Sequence, residues 1–391
     1  MMADHSSRAH ALLSASGSKR WLTCTPSARL EQEFEESTSV FAEEGTLAHE
    51  LSEVLLQYHF GQISKTARTR RLNKLKKHEL FSQSMLDYVT SYADLVVERI
   101  NELQAGTRGA AILLEQRLDY SEWVPEGFGT GDVVAIGDNV MEIIDLKYGK
   151  GVPVSAQENT QMRLYALGAI NQFGMLYDIE MVRMTIIQPR LDSVSTDEIK
   201  ADQLLAWADE FVKPRAEMAA AGEGEFISGD HCRFCRARFT CRKRAEANLE
   251  LAKYDFKAPE LLSEEELGQI LYEAEELKRW AKDVQDYALS QAENHGKRFP
   301  GWKLVEGRSI RKYADKTEAA AKLLEAGYSE EEIYNKELLG ISALEKSIGK
   351  KAFNEHLGDL VVKPTGKPTL VPESDKRPEI NSVESAQADF Q

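Results

Sequence analysis

An α/β fold, with a central mixed β-sheet flanked by helices and a mostly helical C-terminal appendage, is predicted by three observations. Short apolar or β-branched runs at residues 110–118, 131–136, 140–146 and 181–188 are bounded by turn residues and read as strands. Stretches with apolar residues at helical spacing precede, interrupt and follow them. No run reaches the roughly 18 apolar residues of a membrane-spanning helix. At 391 residues the chain is about two to three times a common domain of roughly 100–150 residues, which suits one large domain plus an extra region.

The elements follow in order. Leu47, Leu51, Val54, Leu55 and Tyr58 recur at helical spacing between Ala42 and Phe60, and His49 lies on that helix. Lys65 to His78 carries seven Lys or Arg and no acid, and a second long helix is expected from about Leu80 to Leu103. Three strands come next, the last two joined by a hairpin turn at Gly137-Asp138-Asn139. A helix from about Ala156 to Asn171, a strand from Met181 to Gln188 and a helix from about Ala201 to Ala221, closed by Gly222, complete the α/β pattern. Beyond the run HCRFCRARFTCRKR (His231 to Arg244), a capping box at Ser263 to Glu266 opens a long amphipathic stripe from Leu267 to Ala288. GWKLVEG (Gly301 to Gly307) is a possible strand, and Ser329 to Glu332 is a second capping box. Residues 1–250 are expected to form one domain, 251–370 a mostly helical region and 371–391 an irregular tail.

Charge and cysteine content narrow the function. With 49 basic and 64 acidic residues, net −15, the average field repels nucleic acid, so any such contact must be local. Two basic islands offer one. Lys65 to Lys77 is the first, and Arg233, Arg236, Arg238, Arg242, Lys243 and Arg244, interleaved with Phe234 and Phe239, are the second. Basic residues bind phosphates and aromatic faces stack unpaired bases, although a basic helix can equally be a solvated face. The N-terminus lacks the basic start and apolar stretch of a signal peptide, so a cytoplasmic setting is expected, where four cysteines are poor disulfide candidates.

Asp145 and Lys147, two apart on a strand, share a face, and Asp132 begins the neighbouring strand after Gly129-Thr130-Gly131. A hairpin would bring Asp132 and Asp145 towards one end of the sheet. Two carboxylates near a lysine can hold Mg²⁺ or Mn²⁺ through oxygen ligands, leaving the ammonium to orient a water or to stabilise charge on a phosphate. Glu115, on the preceding strand, can orient a ligand or supply another one. Gln161 and Tyr165, four apart, share a face of the next helix. Singly, each has a plain structural reading: a strand-end salt bridge, a helix surface, a packed or solvent-facing histidine.

Their order carries more. GTLAH (Gly45 to His49), GTGD (Gly129 to Asp132), DLK (Asp145 to Lys147) and QMRLY (Gln161 to Tyr165) follow one another as Gly-x-x-x-His, Gly-x-x-Asp, Asp-x-Lys and Gln-x-x-x-Tyr. This set resembles the RecB-type branch of the PD-(D/E)XK nuclease superfamily, though without the Pro of the superfamily's name. The resemblance implies a restriction-endonuclease-like core in which His49, Asp132, Asp145 and the backbone carbonyl of Leu146 bind the metal. It further implies that Lys147 is the catalytic lysine and that Gln161 and Tyr165 position the DNA strand.

Cys232 and Cys235 form a C-x-x-C, Cys241 follows after five residues, and Cys24 stands far upstream. Four thiolates can bind zinc or an iron–sulfur cluster, and free buried cysteines are the third possibility. The one-plus-three layout flanking the nuclease motifs is similar to iron–sulfur nucleases of the AddB type and of the CRISPR-associated exonuclease type. That similarity implies a four-iron, four-sulfur (4Fe–4S) cluster acting as a clasp between the N-terminal segment and the end of the nuclease domain. The whole chain, including GWKLVEGRS, also resembles an uncharacterised family of phage and prophage proteins of this superfamily. Together these resemblances imply a metal-dependent deoxyribonuclease, an exonuclease on DNA ends or single strands in phage recombination or replication. Its partners would be DNA and phage recombination or single-strand-binding proteins, with no membrane. A non-catalytic DNA-binding or recombination scaffold of the same fold, and a zinc-clamped protein of unrelated function, are the alternatives.

Overall fold

Strands β1 (Ala111–Asp119), β2 (Phe128–Gly137), β3 (Val140–Leu146), β4 (Met181–Gln188) and β5 (Ser193–Lys200) lie side by side in that order in the computed structural model. The described residues are 11–34, 40–105, 110–250, 263–305, 315–334 and 338–361. The β1/β2, β2/β3 and β4/β5 pairs are antiparallel and β3/β4 is parallel, which makes the sheet mixed. Gly137 pairs with Val140, leaving Asp138-Asn139 as a two-residue turn, with Asp138 in the left-handed region at φ 42°. The parallel step needs a crossover, and helix α6, introduced below, supplies it.

Helices cover both faces. The N-terminal segment forms α1 (Ser18–Thr23) and α2 (Ser27–Leu30), followed by α3 (Val40–His59), α4 (Lys65–Leu75) and α5 (Gln83–Ala105). The crossover is α6 (Thr160–Phe173), and after β5 come α7 (Ala201–Trp207) and α8 (Lys213–Ala221). The period of two along a strand divides the core. Val134 and Ile136 of β2 pack with α6, α1 and α8, whereas Val133 and Ala135 pack with α3 and α5. The expected helix over 201–221 is one continuous rod with a π turn at Ala208–Val212 in its middle. Pro214 explains this: its nitrogen has no hydrogen to give, and its ring crowds the preceding turn.

Edge strand β5 was not among the expected strands. Its burial alternates half-buried with exposed, and Val194 is itself 50% exposed, so SVSTDEIK carries little apolar signal. The segment 301–305 is irregular, so the possible strand at GWKLVEG does not form there, and its last two residues lie outside the described ones. The expected tail, 371–391, also lies outside them.

The cysteine-bearing segment makes two 3₁₀ turns (Asp230–Phe234 and Arg236–Phe239) and then α9 (Arg242–Leu249). Next is α10 (Glu264–His295), opened by the expected capping box: Ser263 Oγ accepts from the Glu266 N–H and Glu266 Oε2 from the Ser263 N–H. Arg244, 1% exposed, donates to Glu276 Oε1 and Asp283 Oδ2 of α10, each at 2.7 Å. Phe239 stacks on Tyr287 with centroids 5.3 Å apart. These contacts tie α10 to the cysteine-bearing segment and α9, and the chain divides into two compact units, Met1–Ala288 and Leu289–Gln391. Leu267 and Leu271 of the amphipathic stripe stay exposed. The second unit contains α11 (Lys316–Glu325), α12 (Glu330–Ile333) with the expected Ser329/Glu332 capping box, α13 (Ile341–Ile348) and α14 (Lys350–Leu357). Among the described residues no helix is long and apolar enough to cross a membrane.

Arg244→Ala removes a buried cation but leaves Glu276 and Asp283 about 30% exposed, so water can take over the stranded carboxylates. The expected loss is therefore about 1–3 kcal/mol, below that for a fully buried pair. Urea unfolding and faster proteolysis in residues 264–288 would register it.

Candidate functional site

Register brings the two central carboxylates together. Val133 pairs with Ile144, so one step towards the open end of the hairpin sets Asp132 across from Asp145. Both are buried, at 8% and 3% exposure. Asp132 Oδ2 accepts from the Leu146 N–H at 2.7 Å, and its Oδ1 lies 3.1 Å from His49 Nδ1. Asp145 Oδ2 lies 2.8 Å from Lys147 Nζ, and its Oδ1 accepts from Gln161 Nε2 at 3.4 Å. Gln161 Nε2 is also 3.1 Å from the Tyr165 hydroxyl. The structure thus gathers His49, Asp132, Asp145, Lys147, Gln161 and Tyr165 around one point.

Local sequence explains each placement. Asn159 caps α6 by accepting from the Gln161 and Met162 N–H groups, which starts the helix so that Gln161 and Tyr165 stack one turn apart over β3. A Cβ at Gly129 would sit 2.6 Å from the Tyr165 ring, so glycine lets that ring lie against β2. A Cβ at Gly45 would meet nothing within 4 Å, so packing does not require glycine there. His49 is held by its neighbours Leu47, Ala48 and Leu51, which bury α3 against the sheet.

Glu115 joins the cluster through the backbone. The β1–β2 ladder pairs Leu114 with Val133 and Gln116 with Gly131 but breaks between them, opposite Asp132, and Glu115 adopts φ 48°. A left-handed glutamate in mid-strand costs on the order of 1–3 kcal/mol and tends to mark a site. His49, Glu115 and Asp132 each present a ligand atom, all within 4.8 Å of one another.

The charges are unbalanced. Burial opposes a charge on His49, yet the contact with Asp132 and the Asp145 charge outweigh it and push its pKa up to about 9. Burial, then the charge of Asp132, pushes Glu115 up to about 8. Burial also works against the Asp132 carboxylate, but His49, the Leu146 N–H and Lys147 hold it below its ordinary value. Asp145 is raised by burial, offset only in part by Lys147. At neutral pH His49 and Glu115 therefore both hold a proton.

Tyr92 of α5 is the residue that sequence reasoning missed. It is fully buried, its hydroxyl has no hydrogen-bond partner among the described residues, and burial followed by Asp132, Asp145 and Glu115 raises its pKa. In the stripe Met85, Val89, Tyr92, Val96, Ile100 it reads as core, and only the sheet shows what its hydroxyl approaches.

The four cysteines also meet. Cys24, at the end of α1, and Cys232, Cys235 and Cys241 line one cavity, together with Arg20 and Arg238. Glu31 ties the two chain segments: it pairs with Arg20, and its Oε1 accepts from the Arg236 N–H at 2.7 Å. Burial and then the Glu31 charge push the Cys235 thiol up to about 12. No three of these sulfurs come within 4.8 Å of one another, whereas tetrahedral zinc holds its sulfurs about 3.8 Å apart. Four thiols lining one cavity are a donor set that a metal ion or an iron–sulfur cluster can use.

Residues 10–378 match the model of a family described as "Protein of unknown function (DUF2800)". The chain belongs to that family. Among solved structures, one titled "Crystal structure of SSO0001" is similar at 14% identity and a TM-score of 0.21, over 57% of this chain and 96% of that one.

In this DUF2800 member the two basic islands part company. In the second, Arg244 and Arg238 face Glu276 and Asp283, and Phe239 is covered by Tyr287, so these three are not available to bind a polymer as the sequence suggested. Phe234 remains exposed.

The linkage signs are the same for both raised groups. His49 stabilises the fold fully below about 6.5 and loses that contribution as pH rises through about 9. Glu115, taken up more readily as the neutral acid in the fold, adds a fall between about 4.5 and 8. In EDTA the melting temperature is expected to decline from pH 5 to 9, and less steeply in His49→Ala.

Proposed function

We propose that this chain is a Mg²⁺- or Mn²⁺-dependent DNA phosphodiesterase, a RecB-like PD-(D/E)XK nuclease whose N-terminal segment is clasped by a 4Fe–4S cluster. The convergence of His49, Asp132, Asp145, Lys147 and Gln161 at one end of the β2–β3 hairpin carries this reading. The donor set fits a hard cation: one imidazole nitrogen, clustered carboxylate oxygens and an orphaned hydroxyl nearby. Asp132, Asp145, His49, Glu115 and the Leu146 carbonyl would hold it. A bound divalent ion supplies Lewis acidity at the phosphodiester and lowers the pKa of water.

The chain's own residues have these tasks. Asp132, kept ionised by His49 and the Leu146 N–H, is the fixed anchor of the site. Lys147 is 26% exposed, so its ammonium reaches the cleft while Asp145 sets its direction; there it can orient a water or stabilise charge on the phosphate. Gln161 links Asp145 to Tyr165 and faces the strand that is cut. At the other site, Cys24, Cys232, Cys235 and Cys241 would hold the cluster as a clasp rather than a redox catalyst. DNA ends or single strands in phage recombination or replication are the proposed substrates, in the cytoplasm, with recombination or single-strand-binding proteins as the partners.

The test is anaerobic purification followed by cleavage of end-labelled DNA with and without Mn²⁺. Wild-type cleavage is expected to need the ion, and Asp145→Ala or Lys147→Ala to lower the rate at least a hundredfold with the fold intact. Cleavage that survives both changes, or none under any divalent ion, overturns the assignment. Iron and labile sulfide near four of each per chain, lost in Cys24→Ala, would support the clasp, whereas zinc alone in anaerobic protein would remove it.

A further inference from the structure

Helix α4 plays no part in the carboxylate cluster, yet the structure gives it two distinct faces. Inward, Arg71 donates to Gln57 Oε1 at 2.6 Å and to Glu53 Oε2 at 2.9 Å, Arg68 lies over the Tyr58 ring at 4.7 Å, and Leu72 and Leu75 pack on the core of α3 and α5. Outward, Lys65, Thr69, Arg70, Asn73, Lys74 and Lys77 are exposed and line one shallow groove. No acidic side chain lines that groove, and among the described residues none of its four cations is held in an ion pair.

We infer that this outward face of α4 is a docking surface for the phosphate backbone of a polynucleotide. The inference rests on reading the carboxylate cluster as one that acts on nucleic acid. Charge complementarity selects the occupant. On a chain of net −15, a face with four cations and no acid reverses the average composition, and like charges at helical spacing repel until an anion lies along them. Asn73 sets an uncharged hydrogen-bond donor between the cations, as phosphate oxygens require, while the Thr69 hydroxyl donates to the Lys65 carbonyl. No aromatic residue lies in the groove to stack a base, so the face grips backbone and does not read sequence.

Position supports the same partner. Glu53, which anchors Arg71, is four residues from His49 on α3, or about 6 Å along the axis. The inner side of α4 is therefore anchored one helical turn from the histidine of the cluster. The second basic island is different, because Arg244 and Arg238 are occupied by carboxylates there.

The experiment measures binding of fluorescent dT30 and of a mixed-sequence 30-bp duplex to the full chain in EDTA, from 50 to 300 mM salt. With no divalent ion present, the result stands whether or not the cluster cleaves anything. Arg70→Glu with Lys74→Glu is expected to weaken dT30 binding at least tenfold at 100 mM salt and to flatten the log–log salt slope by about 1.4, at about 0.7 per lost contact on a single strand. The milder pair Arg70→Gln with Lys74→Gln, whose melting temperature should match wild type, is expected to weaken binding by a smaller factor and to flatten the slope by about the same 1.4. Unchanged affinity and slope in both variants, or no binding by wild type, overturns the inference. Polyglutamate competing as well as dT30 does so too, because the face would then belong to an acidic polypeptide.

Discussion

Two buried aspartates set side by side govern the architecture of this protein. Like charges a few ångströms apart in a dry interior repel strongly, and both can be ionised only if nearby cations and N–H donors compensate. Nearly every unusual feature at the open end of the hairpin answers that demand. Each aspartate has its own basic partner, His49 for Asp132 and Lys147 for Asp145, and an amide or backbone donor besides. Compensation is still incomplete: the Asp132 charge helps keep a proton on Glu115.

The cysteine cavity is built on a different principle, the tying of distant chain segments. Its N-terminal side does not depend on the thiols alone. Thr25 Oγ1 donates to the Glu223 carbonyl, Arg29 Nε to that of Ala220, both at 2.6 Å, and Arg215 to that of Leu22 at 2.8 Å, so α1 and α2 are stapled to α8 and the residues just beyond it. Glu31 and Arg20 then extend the same staple to the loop bearing Cys232 and Cys235. A group bound to the four sulfurs would close a frame whose polar joints are already in place.

Legibility followed burial. β3 and β4 run between the residues expected for them because both are covered on two faces and read as unbroken apolar runs. β5 lies at the edge, half its side chains in water, and its sequence has the polarity of a loop. Helix α6 begins four residues later than the apolar pattern suggests, because Asn159 competes for the first N–H groups and sets the start. In α10 the amphipathic stripe is real and includes Tyr287, but the attachment to the cysteine-bearing segment and α9 also runs through Glu276 and Asp283, which periodicity does not single out.

Periodicity and residue type, which are local properties, determined four of the five strands, the long helices, the hairpin, the motif residues and the cysteine spacing from the sequence alone. Tertiary structure decided which of those residues meet. Only the register of β2 on β3 sets Asp132 across from Asp145, only the break in the β1 ladder turns Glu115 towards them, and only the packing of α5 brings Tyr92 beneath. It also separated two basic runs that look alike in sequence, because a guanidinium buried against α10 and one facing water differ in their neighbours, and neighbours distant in the chain are settled by the fold.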